Sequence, residues 1–450
     1  MKKTFWILIA SFILLPSLAS AHGIGEVYAL PVPLKYYLFG AALAVGVSFF
    51  IAAVFLNKPT KEQAEKAPYL AKWIKPLLYV FKTLSVVLLV VVISAGIIGR
   101  QNPASNFAAI FFWVYFLMGV SVLHVCIGNL WQHINPWKII SDYILSDLDA
   151  KQRYISGVVG VVLLLGLFWW ELVSGTSFVP RIVGVVLLIY TVINVLMSLR
   201  YRNWYKEGEL FSVLFGFVGT LAPFRLTDEG NGIVHTKVQN KLSGTPASVW
   251  TLGIAAVMLA GASFDSIKES VMWFNWLKAL GFASSSTLAG TFGVILAPLP
   301  FLAAYLLACW IMNKLVGGKQ STWLLARQFV WSLIPIAFGY TLAHNFALVI
   351  VQAPQMLAIL SDPFGYGWNL FGTADASRTA LLLGAKMVWF IEIGFVILAH
   401  VFGVLYAHIL AVNIFKDGKA ALRSQYPMAL LMVGFTIFTL WLLSQPLVSK

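Results

Sequence analysis

The sequence predicts an all-α fold: a polytopic transmembrane bundle of about ten helices, with two further amphipathic helices at the cytoplasmic interface. Three observations carry this reading. Of 450 residues, 60% are hydrophobic and 11% charged, at a mean hydropathy of +0.85, whereas a soluble domain covers itself with roughly 25% charged residues. The chain also divides into apolar stretches of the ~20 residues that span a hydrocarbon core. Finally, its cations gather in alternate connections between those stretches, the bias that orients membrane helices. A soluble enzyme, a nucleic-acid-binding domain and a disordered chain are excluded on the same numbers. The 31 Lys and Arg against 17 Asp and Glu, a formal charge of +14, read as loop charge at the cytoplasmic face rather than as a nucleic-acid surface.

Taken in order, Lys2 and Lys3, the apolar run Phe5 to Leu15, Pro16 and the small-residue site Ala19-Ser20-Ala21 predict a secretory signal peptide over residues 1–21. The residue directly after the cleavage point is His22 rather than cysteine, which argues against a lipid anchor. The mature chain then begins at His22, in the periplasm, as one transmembrane domain over 22–450 in a bacterial inner membrane. The expected spans are 34–56, 76–98, 106–128, 154–174, 178–199, 249–265, 285–312, 325–352, 382–415 and 427–446. With an outer N-terminus, the cytoplasmic connections collect Lys58, Lys61, Lys66, Lys72 and Lys75; then Lys138, Lys151 and Arg153; then Arg200, Arg202, Lys206, Arg225, Lys237 and Lys241. Lys314, Lys319 and Arg327 follow, then Lys416, Lys419 and Arg423. Charge bias and alternation agree.

Asn135-Pro136 reads as an N-cap with proline at the first helical position, followed by Trp137, Ile140, Ile144 and Leu148 at helical spacing. The run Leu210 to Leu221 is read in the same way, and both are expected in the inner headgroup plane. Cys126 and Cys309 sit in apolar runs and read as small core residues without a disulfide.

A mature N-terminal His22 offers an α-amine and a ring nitrogen to one metal. A second histidine would complete a T-shaped, nitrogen-rich histidine brace, a geometry that suits Cu(II). The alternative is that histidine is merely tolerated after the cleavage site. Ionisable groups inside a membrane default to functional hypotheses, and four belong to the same leaflet. His344 lies some ~28 Å up the eighth span and Glu392 ~15 Å into the ninth. Asp265 and Glu171 end their spans on the outer side. The proposed metal ligands are His22, His344, Asp265 and Glu392, with a divalent transition metal, copper favoured, as cofactor. Each has a plainer reading. Asp265 can support a Ser266-x-x-Glu269 capping box, Glu171 can be interfacial beside Trp169 and Trp170, Glu392 can be a protonated interhelical acid, and His344 can bond a backbone carbonyl. His124, His400 and His408 lie in the inner half. His400 and His408 are ~12 Å apart along one helix, so one metal cannot take both. His133 and His235 fall in cytoplasmic connections. The outer loop Ser361-Asp362-Pro363-Phe364-Gly365-Tyr366-Gly367-Trp368 can be a lid or an interfacial loop. No H-E-x-x-H pair, P-loop or complete nucleophile elbow is present.

Several stretches resemble a bacterial membrane family whose members often carry the label fenitrothion hydrolase. They are His22-Gly23 with Leu30-Pro31-Val32-Pro33, Asn135-Pro136-Trp137, Ser263-Phe264-Asp265, and Ser332-Leu333-Ile334-Pro335-Ile336-Ala337. Further along come Ala343-His344, Ser361-Asp362-Pro363-Phe364-Gly365, Leu370-Phe371-Gly372-Thr373-Ala374, His400 with Ala407-His408, and Ser424-Gln425-Tyr426-Pro427-Met428. The resemblance implies an inner-membrane protein that hydrolyses organophosphate triesters. Two functions therefore stand side by side. One is a metal-dependent hydrolase that takes hydrophobic triesters from lipid and activates water. The other is a copper receptor or transporter without hydrolase activity, with His124, His400 and His408 as inner waypoints. The expected partners are the bilayer, a small hydrophobic substrate or a metal ion, and further membrane subunits, but no nucleic acid.

Overall fold

The computed structural model describes residues 33–55, 71–144, 153–236, 242, 245–283, 286–318, 320–376, 383–415 and 417–445. Among these the protein is a helical bundle with nine helices long and apolar enough to cross a membrane. The proposed signal peptide and His22 lie outside the described residues.

Helices α1 (Leu34–Phe55) and α2 (Ala71–Ile98) begin the bundle. The next span, α3 (Phe107–Ile127), is interrupted by a π-helical stretch over Phe111–Val120 that buries Phe112, Trp113, Val114, Phe116 and Leu117 together. Gly128, at φ 74°, ends it. Helix α4 (Pro136–Ile144) starts where the sequence places it: the Asn135 side-chain oxygen accepts from the amides of Trp137 (3.0 Å) and Lys138 (3.2 Å). Trp137 is buried and its indole donates to Thr191, while Tyr143 is 85% exposed. A helix with this amphipathic division is suited to an interface.

The expected span 154–174 is shorter in the structure. Helix α5 covers Val158–Leu172, 15 residues, which rise only ~22 Å, short of a ~30 Å core. Its first turn is lost because the preceding backbone pairs elsewhere: Arg153 bridges Tyr201, and Ile155 exchanges two hydrogen bonds with the side chain of Asn203. That correction reduces ten spans to nine full-length ones and a short one.

After α6 (Pro180–Arg200) the chain turns back into the bundle. The Trp204 indole donates to Asn194 and the Tyr190 hydroxyl to Glu209, residues that lie ~9 and ~15 Å in from Arg200 along α6. Helix α7 (Leu210–Gly219) then returns, and Gly219 packs against Gly128 and Asn129 beyond the end of α3. Nine of its ten residues are buried. The expectation of an interfacial helix over Leu210 to Leu221 is thus corrected. The segment carries no charged residue to face water, and a helix apolar all round belongs in the interior. Re-entrant backbone is tolerated at membrane depth when it is enclosed by protein.

A short antiparallel hairpin follows, β1 (Phe224–Leu226) with β2 (Ile233–His235), in the register Arg225 to Val234. Leu226 packs with Ile74, Leu78 and Leu130. The bundle continues with α8 (Val249–Lys268), the short aromatic α9 (Val271–Ala279), α10 (Thr287–Leu296) running on into α11 (Pro298–Leu315), and α12 (Thr322–Phe329). It closes with α13 (Ile334–Gln352), α14 (Met356–Ser361), α15 (Ala385–Ile414) and α16 (Gly418–Leu443).

Small residues set the close crossings, as expected where lipid supplies no hydrophobic drive between helices. A Cβ added at Gly96 of α2 would sit 2.8 Å from the Gly184 Cα of α6, and one at Gly339 of α13 would meet the Ala399 Cβ of α15 at 2.3 Å. Gly96→Leu is therefore expected to push α2 off α6 and cost at least about 1–3 kcal/mol, the range for overpacking. Thermal unfolding in detergent reads the loss; an unchanged midpoint would mean that the two helices do not cross here.

Candidate functional site

Of the residues singled out in the sequence, His344 and Asp265 meet where α5 and α8 finish against α13. The His344 Nε2 of α13 is 2.5 Å from Asp265 Oδ2 of α8. The other oxygen, Oδ1, takes the Lys268 ammonium at 3.0 Å, one helical turn along the same helix. Lys268 also donates to the Leu172 carbonyl at the end of α5, 3.1 Å away, tying the three helices together. The side chains of His344 and Asp265 retain 19% and 25% exposure, enough for a small ligand to reach them. Glu171 and Glu392 lie within electrostatic reach of His344. The Tyr340 ring, one turn before His344, is 6.4 Å from it and buried.

The capping reading of Asp265 does not apply. Helix α8 continues through Ser266 to Lys268, the Ser266 hydroxyl donates to the Ala262 carbonyl, and α9 is capped by Ser270, which accepts from the Trp273 amide. Asp265 is left to hold His344 and Lys268. Glu171 is not merely interfacial either: it lines a small cavity with Ser121, Thr341 and Asn345. Among the described residues no hydrogen bond reaches its carboxyl group.

In the neutral tautomer that donates Nε2–H to Asp265, His344 keeps a lone pair on Nδ1. The hydrogen-bond contact of that atom is with the Ser266 hydroxyl, at 3.4 Å, the edge of hydrogen-bonding distance. A carboxylate that orients a histidine and leaves its second nitrogen available is the arrangement found behind metal-bound histidines. Asp265 thus fits as the orienting partner better than as a ligand, because both of its oxygens are engaged. Among the described residues, no group of three or more His, Cys, Asp and Glu is placed to hold a metal. The described chain supplies one well-oriented nitrogen, and His22 lies outside it.

The inner histidines are each tied into the bundle by at least one ring nitrogen, and the His400 Nε2 is buried without a partner among the described residues. The His124 Nδ1 donates to the Val120 carbonyl at 2.7 Å, its Nε2 accepts from the Trp131 amide at 2.8 Å, and its ring stacks on Phe215. It caps the turn that follows α3, with no nitrogen left for a metal. His408 Nδ1 pairs with the Gln425 Oε1 at 2.7 Å, and His400 Nδ1 with the Val396 carbonyl at 2.8 Å. His133 contacts Gln132; its pKa is lowered, by burial first and then by the charge of Lys82. The loop after α14 is tied down: Asp362 accepts from the amides of Tyr366 and Gly367, and the Arg100 amide donates to the Phe364 carbonyl. It rests on the end of α2 with Phe371 70% exposed, an interfacial position. Cys309 is buried, whereas Cys126 is exposed rather than a core residue.

One ionisable group escaped the sequence reading. Glu209, fully buried, caps the N-terminus of α7 and gathers six donors. Oε1 accepts from the Tyr190 hydroxyl (2.7 Å) and the Phe211 amide (2.9 Å). Oε2 accepts from the Ser212 amide (2.7 Å) and hydroxyl (2.6 Å), Asn135 (3.0 Å) and the Trp131 indole (3.3 Å). The only signal in the sequence is a lone carboxylate at the head of a charge-free apolar run. Glutamate is not among the favoured N-cap residues, so the pattern is faint.

No family model, no curated protein and no solved structure matches the chain.

Proposed function

We propose that this is a bacterial inner-membrane protein with its mature N-terminus in the periplasm, and that it binds a transition metal, copper in preference, at its outer end. The observation that supports this is the Asp265–His344 pair: a histidine held at Nε2, partly accessible, with Nδ1 in contact only with the Ser266 hydroxyl at 3.4 Å among the described hydrogen bonds. His344 supplies one nitrogen; the α-amine and ring of His22, exposed by signal cleavage after Ala21, complete a brace. Asp265 orients His344, Lys268 balances Asp265, and Glu392 contributes charge rather than a bond. Copper(II) bound there would act as a Lewis acid toward oxygen ligands.

Metal binding and handling without hydrolysis is the first reading, since it asks only for the donor that the Asp265–His344 pair presents. Hydrolysis, which the resemblance to the fenitrothion hydrolase family implies, is the second reading. It is favoured by one feature, since a histidine oriented by a carboxylate is also a general base. One preparation separates the two. Signal-processed protein that retains copper and turns over no triester supports handling; turnover that disappears in His344→Ala, with folding intact, supports hydrolysis. N-terminal sequencing of the same sample must give His22, and a retained signal segment would remove the α-amine and end the brace.

A further inference from the structure

The half-helix α7 separates two cavities. On its Arg200 side lies a vestibule of about 1050 Å³, bounded by Ser212, Gly216 and Phe217 of α7 and by Asn129, Ser198 and Tyr205. On its other side lies the 50 Å³ cavity, closed by Leu214 of the same helix and reaching Glu171. Glu171 stands within electrostatic reach of Asp265, His344 and Lys268. From the Asp265–His344 pair inward, the order is therefore Glu171, the small cavity, one turn of α7, and the vestibule. Among the described residues the nine long helices run 19 residues or more, and α5 runs 15. Here the barrier is one helix, ~10–12 Å thick, whose tip is clamped through Glu209 and whose other end finishes on glycines.

We propose that this line is a permeation path for a small soft cation of the Cu(I) or Ag(I) type, with α7 as its gate and Leu214 as its seal. The proposal rests on the metal-handling reading above and adds transport to it. The chemistry of the small cavity selects the occupant. The polar residues that line it are Glu171, Ser121, Thr341 and Asn345, and Met118 and Met258 line it as well. Thioethers select Cu(I) among the first-row metals, and the volume excludes an organic solute. The remaining wall, Leu117, Leu164, Leu167, Phe168, Leu214, Phe338 and Leu342, is apolar throughout, the character of a passage that gates by dewetting. The vestibule at the far end faces the cation-rich connections, the side assigned to the cytoplasm by charge bias. Half-helices that end at membrane depth are where transporters place such paths.

The test uses the full mature chain in liposomes that enclose a silver-sensing dye, with Ag(I) as the probe. Wild type is expected to admit Ag(I) above empty liposomes. Met258→Leu, which preserves volume, and Glu171→Gln are each expected to slow entry about tenfold, and Leu214→Ser to speed it about tenfold by wetting the seal. Unfolding midpoints measured on the same samples show that slow variants are folded. Entry unaffected by folded Met258→Leu and Glu171→Gln overturns the path, as does no entry in wild type and Leu214→Ser alike. Copper content is read in parallel. Bound copper without Ag(I) entry removes transport and leaves the outer site standing; Ag(I) entry with the expected variant effects, but without copper at His344, does the reverse.

Discussion

Glu209→Ala is expected to be the most destabilising single change in the bundle, costing about 3–5 kcal/mol, as breaking a buried charged network does. Six donors converge on that carboxylate, and alanine leaves them facing an apolar void. Each buried donor without a partner costs about 1–3 kcal/mol, and only some can turn to each other. The loss also falls at one point, because three of the six bonds cap α7 itself and the other three fix it to α6, to Trp131 and to Asn135. Glu209→Gln is expected to lose less. It keeps the volume and one acceptor oxygen, but it turns an amide NH₂ toward groups that are themselves donors. Tryptophan fluorescence on heating in detergent reads both variants, with a fall of roughly 10 °C expected for alanine. Equal midpoints for Glu209→Ala and wild type would mean that the clamp does not form.

Asp265→Ala is expected to have the second largest effect, here on ligand rather than on fold. It frees the His344 ring, which now has Nε2 fixed at 2.5 Å, and removes the anion 3.0 Å from the Lys268 ammonium. Loss of an orienting partner behind a metal-bound histidine typically costs 10- to 100-fold in affinity, so copper binding is expected to weaken by about that factor. The accompanying loss of stability is expected to be about 1–3 kcal/mol. Asp265→Asn retains one acceptor oxygen and should fall between. Titration of the purified variants with Cu(II) reads the affinity. If Asp265→Ala binds copper as tightly as wild type, the carboxylate serves Lys268 alone.

The spans were legible because twenty apolar residues and alternating cations are properties of the sequence, independent of how helices pack. His344 and Asp265 stand out as costly groups in apolar helices, and counting residues places them in one leaflet. Their pairing was not legible, since it depends on the rotation of α8 against α13. The half-helix was misread for a related reason. Leu210–Gly219 is too short to span and uncharged, and following a cationic stretch it resembles an interfacial segment; only its enclosure by α3, α5, α8 and α13 makes it interior. The short α5 was hidden because Tyr154 to Gly157 are compatible with helix, and the competing bonds to Tyr201 and Asn203 come from residues some fifty positions away. The inner histidines illustrate the converse. Helical spacing excluded a shared metal for His400 and His408, yet His124 is explained only by the Trp131 amide that it accepts.

The central claim is that His344 holds a metal at the outer end, and metal analysis of detergent-purified, signal-processed chain tests it most directly. Wild type and His133→Ala are expected to carry one copper per chain by this account, and His344→Ala none. The last should still fold, because one interhelical bond is worth only about 0.6–2 kcal/mol in a membrane protein. Equal copper in wild type and folded His344→Ala would contradict the account, leaving the Asp265–His344 pair as a structural tie between two helices.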